Sequence, residues 1–143
     1  MNMGSKQVVM INATSKTNGH TATGRVDTRG FDFCKIDVVM GTSDSTSNNP
    51  SVFKIGAGDT TSAYTDITAL VGDGTGGWTV PAADTSNVNQ YQFNIDLRGV
   101  KRWLLLTISP TTTQIIDATA NLFRGDETPY DATTANVDAL VEA

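Results

Sequence analysis

Few residues in this 143-residue chain are of a type that carries out chemistry. There is one histidine, His20, in a Thr-Asn-Gly-His-Thr turn, and one cysteine, Cys34, in a run rich in Val and Ile. A Ser-His-Asp triad needs its histidine held in a dry cleft, and no nucleophile-elbow sequence is present to pair with His20. A lone cysteine gives neither an intrachain disulfide nor a thiolate metal site. These residues predict a protein that is not an enzyme and has no cofactor or metal.

A glycine-rich stretch, Gly72–Gly77, has the G-x-G-x-x-G spacing of a phosphate-binding loop. It runs into Trp78-Thr-Val-Pro81 instead of a helix, so no helix N-terminus would meet a pyrophosphate. Asp59, Asp66 and Asp73 stand in or beside glycine-rich turns, where carboxylates can bind calcium. No EF-hand spacing is present, and Asp in turns usually accepts hydrogen bonds from its own backbone. We therefore predict that Gly72–Gly77 is a loop and that the three aspartates stabilise turns.

Two groups of residues are candidates for contact with a partner. Arg98, Lys101 and Arg102 form a basic cluster that either keeps a turn soluble or contacts another protein. Trp103 and Leu105 have the parity opposite to the inward-facing set of the same strand, Leu104, Leu106 and Ile108, so a second layer or a neighbour has to cover them.

Period-two patterning indicates the elements that position these residues. Tyr91–Leu97 alternates strictly between apolar and polar side chains, and Arg102–Ser109 is predicted to return beside it as a hairpin through a turn at Gly99. In Phe31–Met40 the apolar parity changes, which predicts a bulge or an edge. The predicted strands are Gln7–Asn12, His20–Asp27, Phe31–Met40, Ser51–Gly56, Thr65–Val71, Trp78–Val80, Gln90–Leu97, Arg102–Ser109 and Ile115–Phe123.

Strands at this spacing predict an all-β, single-domain β-sandwich, jelly-roll-like, over residues 1–129. An extended C-terminal tail or arm is expected over 130–143. In the tail, Val137, Leu140 and Val141 fall at i, i+3 and i+4, in a segment too short for a stable helix alone. The tail is either frayed or ordered on a neighbour, in which case these three residues join the partner interface.

Charge and hydropathy narrow the class of partner. Ten Lys+Arg against 15 Asp+Glu give a net charge of −5, which disfavours nucleic acid. No stretch approaches the length of a membrane span, and the start lacks the apolar region of a signal peptide. We expect no membrane partner and a chain made in a cytoplasm.

Several segments together resemble the small all-β head decoration, or cement, proteins of tailed bacteriophages. In order, these segments are Val26–Phe33, Ile36–Val38 with Gly41, Phe53–Ile55, Tyr64–Ile67, Phe93–Gly99 with Lys101–Trp103, and Ala118–Arg124 with Pro129. The resemblance implies a jelly-roll-like sandwich on the capsid exterior of a virion, bridging major capsid proteins as a homotrimer, with no catalytic residues. The Gly- and Asn-rich loops depart from the pattern and leave the capsid-facing surface unassigned.

Two other function classes stay open. The chain also resembles jelly-roll carbohydrate-binding modules, in which exposed aromatic rings stack on sugars, and Trp78 or Tyr64 would be the platform. A small hydrolase using paired Asp residues depends on a spatial separation that a sequence does not give.

Overall fold

The computed structural model describes residues 4–124 and 139–143, and every regular element in these ranges is a β-strand. The strands are β1 (Ser5–Lys16), β2 (Ala22–Asp27), β3 (Phe33–Met40), β4 (Val52–Gly58), β5 (Thr65–Val71), β6 (Asn89–Asp96), β7 (Trp103–Ser109), β8 (Gln114–Phe123) and β9 (Ala139–Glu142). The predicted all-β class is confirmed. Over the same ranges, no helix is present that could cross a membrane.

The strands form two sheets. Sheet 1 has the order β1-β8-β3-β6-β9 and sheet 2 the order β2-β7-β4-β5. The antiparallel pairs are nested in the chain, β1 with β8, β2 with β7, β3 with β6 and β4 with β5. Rolling up such a nested ribbon gives the two Greek keys of a jelly roll. The predicted jelly-roll-like sandwich is therefore confirmed.

The predicted hairpin between the two most regular strands is wrong. β6 lies in sheet 1 and β7 in sheet 2, and the connection 97–102 crosses from one sheet to the other. Both strands turn an apolar face inward, so they complement each other as opposite walls of the core just as well as they would side by side. Period two gives the buried face of a strand but not its neighbour.

The core lies between the two sheets and contains the residues that the alternation predicted. The ten predicted core positions are each at most 7% exposed: Cys34, Ile36, Val38, Tyr91, Phe93, Ile95, Leu97, Leu104, Leu106 and Ile108. β8 contributes its inward set, Ile116, Ala118, Ala120 and Leu122, all fully buried. Sheet 2 adds Phe53 and Ile55 from β4.

The structure corrects two local predictions. β3 is a central strand that pairs with β6 and β8 without a register shift, whereas the register shifts lie between β1 and β8 and between β4 and β5. Phe33 can face outward because it stacks on Phe123, with ring centroids 6.4 Å apart. Residues 78–80 form no strand, and Trp78 makes only an isolated bridge with Gly72.

The end of the chain returns to the sandwich. β9 pairs in parallel with β6, and the Val141 side chain is buried in the core cluster. The apolar residues of the tail have helical spacing, but residues 139–142 form an edge strand that pairs with β6 of the same chain. Val137 and the predicted boundary at 129/130 lie outside the described residues.

Candidate functional site

The tryptophan face is the outer surface of sheet 2 around Trp103 and Leu105. Both side chains are half-buried. In register, Trp103 lies between Asp27 of β2 and Gly58 of β4, and Leu105 lies between Arg25 and Gly56. The glycines put no side chain beside either apolar residue. This apolar pair is therefore only partly covered within the chain.

Glycine is required at Gly58 because of the connection between β4 and β5. A Cβ at Gly58 would lie 1.9 Å from the carbonyl oxygen of Ala63, and one at Gly56 would lie 3.0 Å from that of Thr65. Backbone atoms thus occupy the space that side chains would need, which fixes the glycine-lined surface next to Trp103.

Arg102 is held in place across Trp103. Its Nε and Nη2 donate to Asp27 at 2.9 and 2.7 Å, and its Cζ lies 5.2 Å from the centroid of the Trp103 ring. The hydrogen bond from Arg102 lowers the pKa of Asp27 to about 2, and Asp27 in turn raises the pKa of Arg102. The guanidinium is therefore fixed by a two-point ion pair and a ring contact.

The other two predicted cations lie at the same end of the sandwich, also with partners. Arg98 donates from Nε and Nη2 to Asp96 at 2.9 and 2.7 Å, and its Cζ lies 5.3 Å from the Phe33 ring centroid. Lys101 forms an ion pair with Asp59 at 3.5 Å. The structure thus places Arg98, Lys101 and Arg102 at one end of the sandwich, on a connection between sheets instead of a hairpin tip.

Of the predicted tail residues, Val141 is the one whose side chain the structure describes, and it does not join this face. Val141 is 6% exposed and packs into the core, so it is not available to a partner. Leu140 is part of β9, opposite Gln92 of β6, and Val137 is outside the described residues. The Val141 side chain, which was predicted to pack on a neighbouring subunit, is therefore buried within its own chain.

Of the two candidate sugar platforms, Trp78 packs against aromatic residues of the core. It is half-buried, and its ring makes edge-to-face contacts with Phe53, Tyr91 and Phe93, at centroid distances of 5.1, 5.9 and 5.3 Å. The other candidate, Tyr64, is also half-buried, and its hydroxyl oxygen is buried. Neither residue is fully exposed on the surface of the sandwich.

The remaining chemical candidates do not converge on one place. His20 Nδ1 shares a hydrogen bond of 2.8 Å with the Thr17 hydroxyl in an exposed turn. Cys34 is buried, and this burial raises the pKa of its thiol to about 12. Within the described ranges, no group of three or more His, Cys, Asp or Glu side chains is placed to hold a metal ion.

Each of the three turn aspartates has a partner of its own. Asp66 pairs with Lys54 at 3.0 Å, and Asp59 pairs with Lys101. Asp73, at φ 55°, accepts a hydrogen bond from the Val80 N–H at 2.9 Å and closes the turn over 72–77. The glycine-rich stretch is thus a loop, as predicted, and its carboxylate is used by the loop itself.

A third arginine contact was not predicted from the sequence. Arg124, at the end of β8, lies with its Cζ 5.6 Å from the Phe31 ring centroid, and its Nε donates to the Gly30 carbonyl at 2.7 Å. Arg124 and Phe31 are distant in the chain, and no periodic pattern relates them. Only the pairing of β3 with β8 brings them together.

Comparison with known proteins gives a fold and no family. No family model matches the sequence, and no curated protein matches it. Part of tripeptidyl peptidase 2 is similar to 91% of this chain, at 7% identity and a TM-score of 0.51. A chain of the infectious bursal disease virus Gx strain structure is similar over 87%, at 10% identity and a TM-score of 0.45. SPBc2 prophage-derived protein YomS is similar over 82%, at 13% identity and a TM-score of 0.40.

The three likenesses differ in how much of the other protein they involve. This chain spans 11% of the tripeptidyl peptidase 2 chain, 33% of the bursal disease virus chain and 94% of YomS. At such identities a likeness shows the fold alone, and of the three only that to tripeptidyl peptidase 2 has a TM-score above 0.5.

Proposed function

We propose that this chain is a structural virion protein, a capsid decoration or cement protein that binds the outside of a bacteriophage head and stabilises the shell. It would be made in the host cytoplasm, carry out no catalysis, associate with itself as a homotrimer and contact the major capsid protein. The resemblance of its sequence segments to phage decoration proteins and the jelly-roll topology, which recurs in viral capsid domains, both favour this function.

The observation that carries the proposal is the tryptophan face. Trp103 and Leu105 are half-buried apolar side chains on the outer surface of sheet 2, and Arg102 is fixed over the Trp103 ring. Tryptophan and arginine are enriched at the energetic centres of protein interfaces, and a preorganised arginine loses little entropy on binding. Such a face suits a protein contact within an assembled shell. We assign it to self-association, which adds buried area for each subunit.

The test is binding to capsids that were assembled without this chain. The wild-type chain is expected to co-sediment with the capsids and to raise the temperature at which they break open, because binding only to the intact shell stabilises it. Trp103→Ala is expected to weaken this binding about tenfold or more, because a chain that no longer associates with itself loses the avidity of several linked capsid contacts. A wild-type chain that does not bind would overturn the proposed function.

Ile115→Ala is the matched control. Ile115 is 57% exposed on the outer surface of sheet 1, away from the tryptophan face, so its truncation removes exposed apolar area of a similar kind. Its capsid binding should equal that of the wild type. If both variants bind equally, the tryptophan face has no part in assembly.

The alternative function, a carbohydrate-binding module, has lost one of its two platforms, because Trp78 packs against core aromatics. Only Tyr64 remains for it. A glycan array gives the corresponding measurement: binding that disappears in Tyr64→Ala would favour the module over the virion protein.

A further inference from the structure

The charged loops divide between the two ends of the sandwich. At one end, the connections 28–32, 59–64 and 97–102 carry four Lys or Arg residues, Arg29, Arg98, Lys101 and Arg102, and two aspartates, Asp32 and Asp59. At the other end, the connections 17–21, 41–51, 72–88 and 110–113 carry three aspartates, Asp44, Asp73 and Asp84, and no Lys or Arg. A chain with a net charge of −5 thus collects its loop cations at one end.

Arg124 and Lys6 add to the basic end, which we call the arginine end. The Arg124 N–H donates to the Gly4 carbonyl at 3.0 Å, and its guanidinium donates to the Gly30 carbonyl, beside Arg29. Lys6 is close enough to Asp27 to lower the pKa of that carboxyl. In the part of the chain that the structure describes, Lys6, Arg29 and Arg124 form no ion pair, whereas Arg98, Lys101 and Arg102 pair with Asp96, Asp59 and Asp27 at the same end.

Three arginines of this end lie over aromatic rings. Arg98 lies over Phe33, Arg102 over Trp103, and Arg124 over Phe31, with distances from Cζ to the ring centroid between 5.2 and 5.6 Å. Stacking holds each guanidinium plane in one orientation, and the Nε and Nη2 groups of Arg98 and Arg102 already donate to Asp96 and Asp27. A surface of fixed guanidinium groups is suited to carboxylates, which arginine can bind with two parallel hydrogen bonds.

We propose that the arginine end is the surface that contacts the capsid, and that it recognises a carboxylate-rich protein surface there. The chain then stands on its partner with the acidic loops turned away from the shell. This inference rests on the proposed function, and it adds the docking surface, the orientation and the chemistry of the partner to it.

A protein is a better partner than a nucleic acid for this end. Two of the arginines are already neutralised in part by Asp27 and Asp96, which reduces the charge available for a phosphate backbone. Non-specific nucleic-acid binding draws its affinity from several phosphate contacts, and the net charge of −5 opposes them. Arginine beside aromatic residues is instead the composition of protein interfaces.

Charge reversal at Arg29 tests the proposal. The Arg29 side chain is exposed and makes no hydrogen bond or ion pair with the described residues, so Arg29→Glu should fold normally. Its affinity for capsids assembled without this chain should fall about tenfold, mostly through slower association, and the effect should shrink at high salt. Arg29→Lys, which keeps the charge, should bind like the wild type.

Lys16→Glu is the matched control. It makes the same change of net charge, but Lys16 is the last residue of β1 and lies at the end of the sandwich opposite the arginine end. It should leave capsid affinity unchanged. If Arg29→Glu and Lys16→Glu bind equally well, the arginine end is not the docking surface, although the proposed function survives as long as the wild type binds.

Two simple polymers separate the classes of partner. Poly-L-glutamate should bind the wild-type chain more tightly than a short DNA duplex does, and Arg29→Glu should weaken this binding more than Lys16→Glu. Tighter binding of DNA would overturn the assignment to a carboxylate-rich protein. If the wild-type chain binds poly-L-glutamate but not capsids, the proposed function is refuted, while the assignment of carboxylate binding to the arginine end still holds.

Discussion

At the scale of single residues, a few side chains account for the rigidity of the core. Phe93 is fully buried and contacts Phe53 and Trp78, with ring centroids 5.5 and 5.3 Å away. It therefore joins sheet 1 to sheet 2 through Phe53 and closes the sandwich against the loop that carries Trp78. Packed aromatic groups of this kind add edge-to-face attraction to the burial of apolar area.

Phe93→Ala should lower the free energy of unfolding by about 3–5 kcal/mol, because the surrounding rings cannot collapse fully into the cavity. Chemical denaturation measures the change. Val88→Ala is the control, since Val88 is 45% exposed, and it should change stability by less than about 0.5 kcal/mol. An unchanged midpoint for Phe93→Ala would contradict the inward register of β6.

The two arginine–aspartate pairs should appear in the acid stability of the protein. Hydrogen bonds from Arg102 and Arg98 lower the pKa of Asp27 and Asp96 from 3.8 to about 2. Their stabilisation is complete above pH 3.8. It is lost as the pH falls toward 2, because the unfolded chain takes up protons first.

A series of denaturation curves across this range, on the wild type and on Asp27→Asn/Asp96→Asn, measures the effect. The wild type should lose stability with a steeper slope than the double variant. Asp44→Asn/Asp59→Asn removes two exposed carboxylates that accept no hydrogen bond from an arginine in the described residues, and its slope should match that of the wild type. Equal slopes in all three proteins would show that the two pairs make no pH-dependent contribution.

At the scale of elements, β9 protects the edge of sheet 1. The Asp96 N–H donates to the Ala143 carbonyl at 2.7 Å, and the Ala143 N–H donates to the Asn94 carbonyl at 2.9 Å. Without β9, β6 would be an edge strand with free backbone groups, and such edges pair with other chains. A short strand of four residues therefore closes a surface that would otherwise promote aggregation.

Deletion of residues 139–143 should raise the hydrogen-exchange rate of the Asp96 amide and lower stability, since it also removes the buried Val141 side chain. The Leu106 amide in sheet 2 is the internal reference and should change only by the loss of global stability. An Asp96 amide as protected as before would mean that β9 does not pair with β6 in solution.

At the scale of the whole molecule, the sandwich presents two surfaces that suit different contacts. The tryptophan face lies on the side of the jelly roll, and the arginine end lies at the end of the sandwich next to it. Arg102 and Trp103 belong to both. A subunit could thus join its neighbours through the side and the capsid through the end, which is the arrangement that a trimeric decoration protein requires.

The chain should have the mass of a trimer in light scattering. Leu105→Glu should shift it toward a monomer, because a carboxylate would have to be desolvated in the interface. Ile115→Glu places the same charge on the outer surface of sheet 1, where Ile115 is exposed, and should leave the mass unchanged. A monomeric wild type would remove self-association through the tryptophan face.

The sequence by itself determined the class of fold, the inward residues of each strand and the loop character of 72–77, with the local hydrogen bond of Asp73. These properties depend on neighbouring residues, because side chains in a strand alternate and Asp and Gly shape local backbone. Tertiary structure decided which strands pair. It put β6 and β7 in different sheets, packed Trp78 against the core, buried Val141, and brought Arg124 onto Phe31.

The physical reason is that period two records only which side of a strand is apolar. The inward face of a strand can pack against side chains of a neighbouring strand or against the opposite sheet. The chain adopts the arrangement that buries the most apolar surface. Two of the arginine contacts depend on that closure: Arg98 meets Phe33 because β3 pairs with β6, and Arg124 meets Phe31 because β3 pairs with β8.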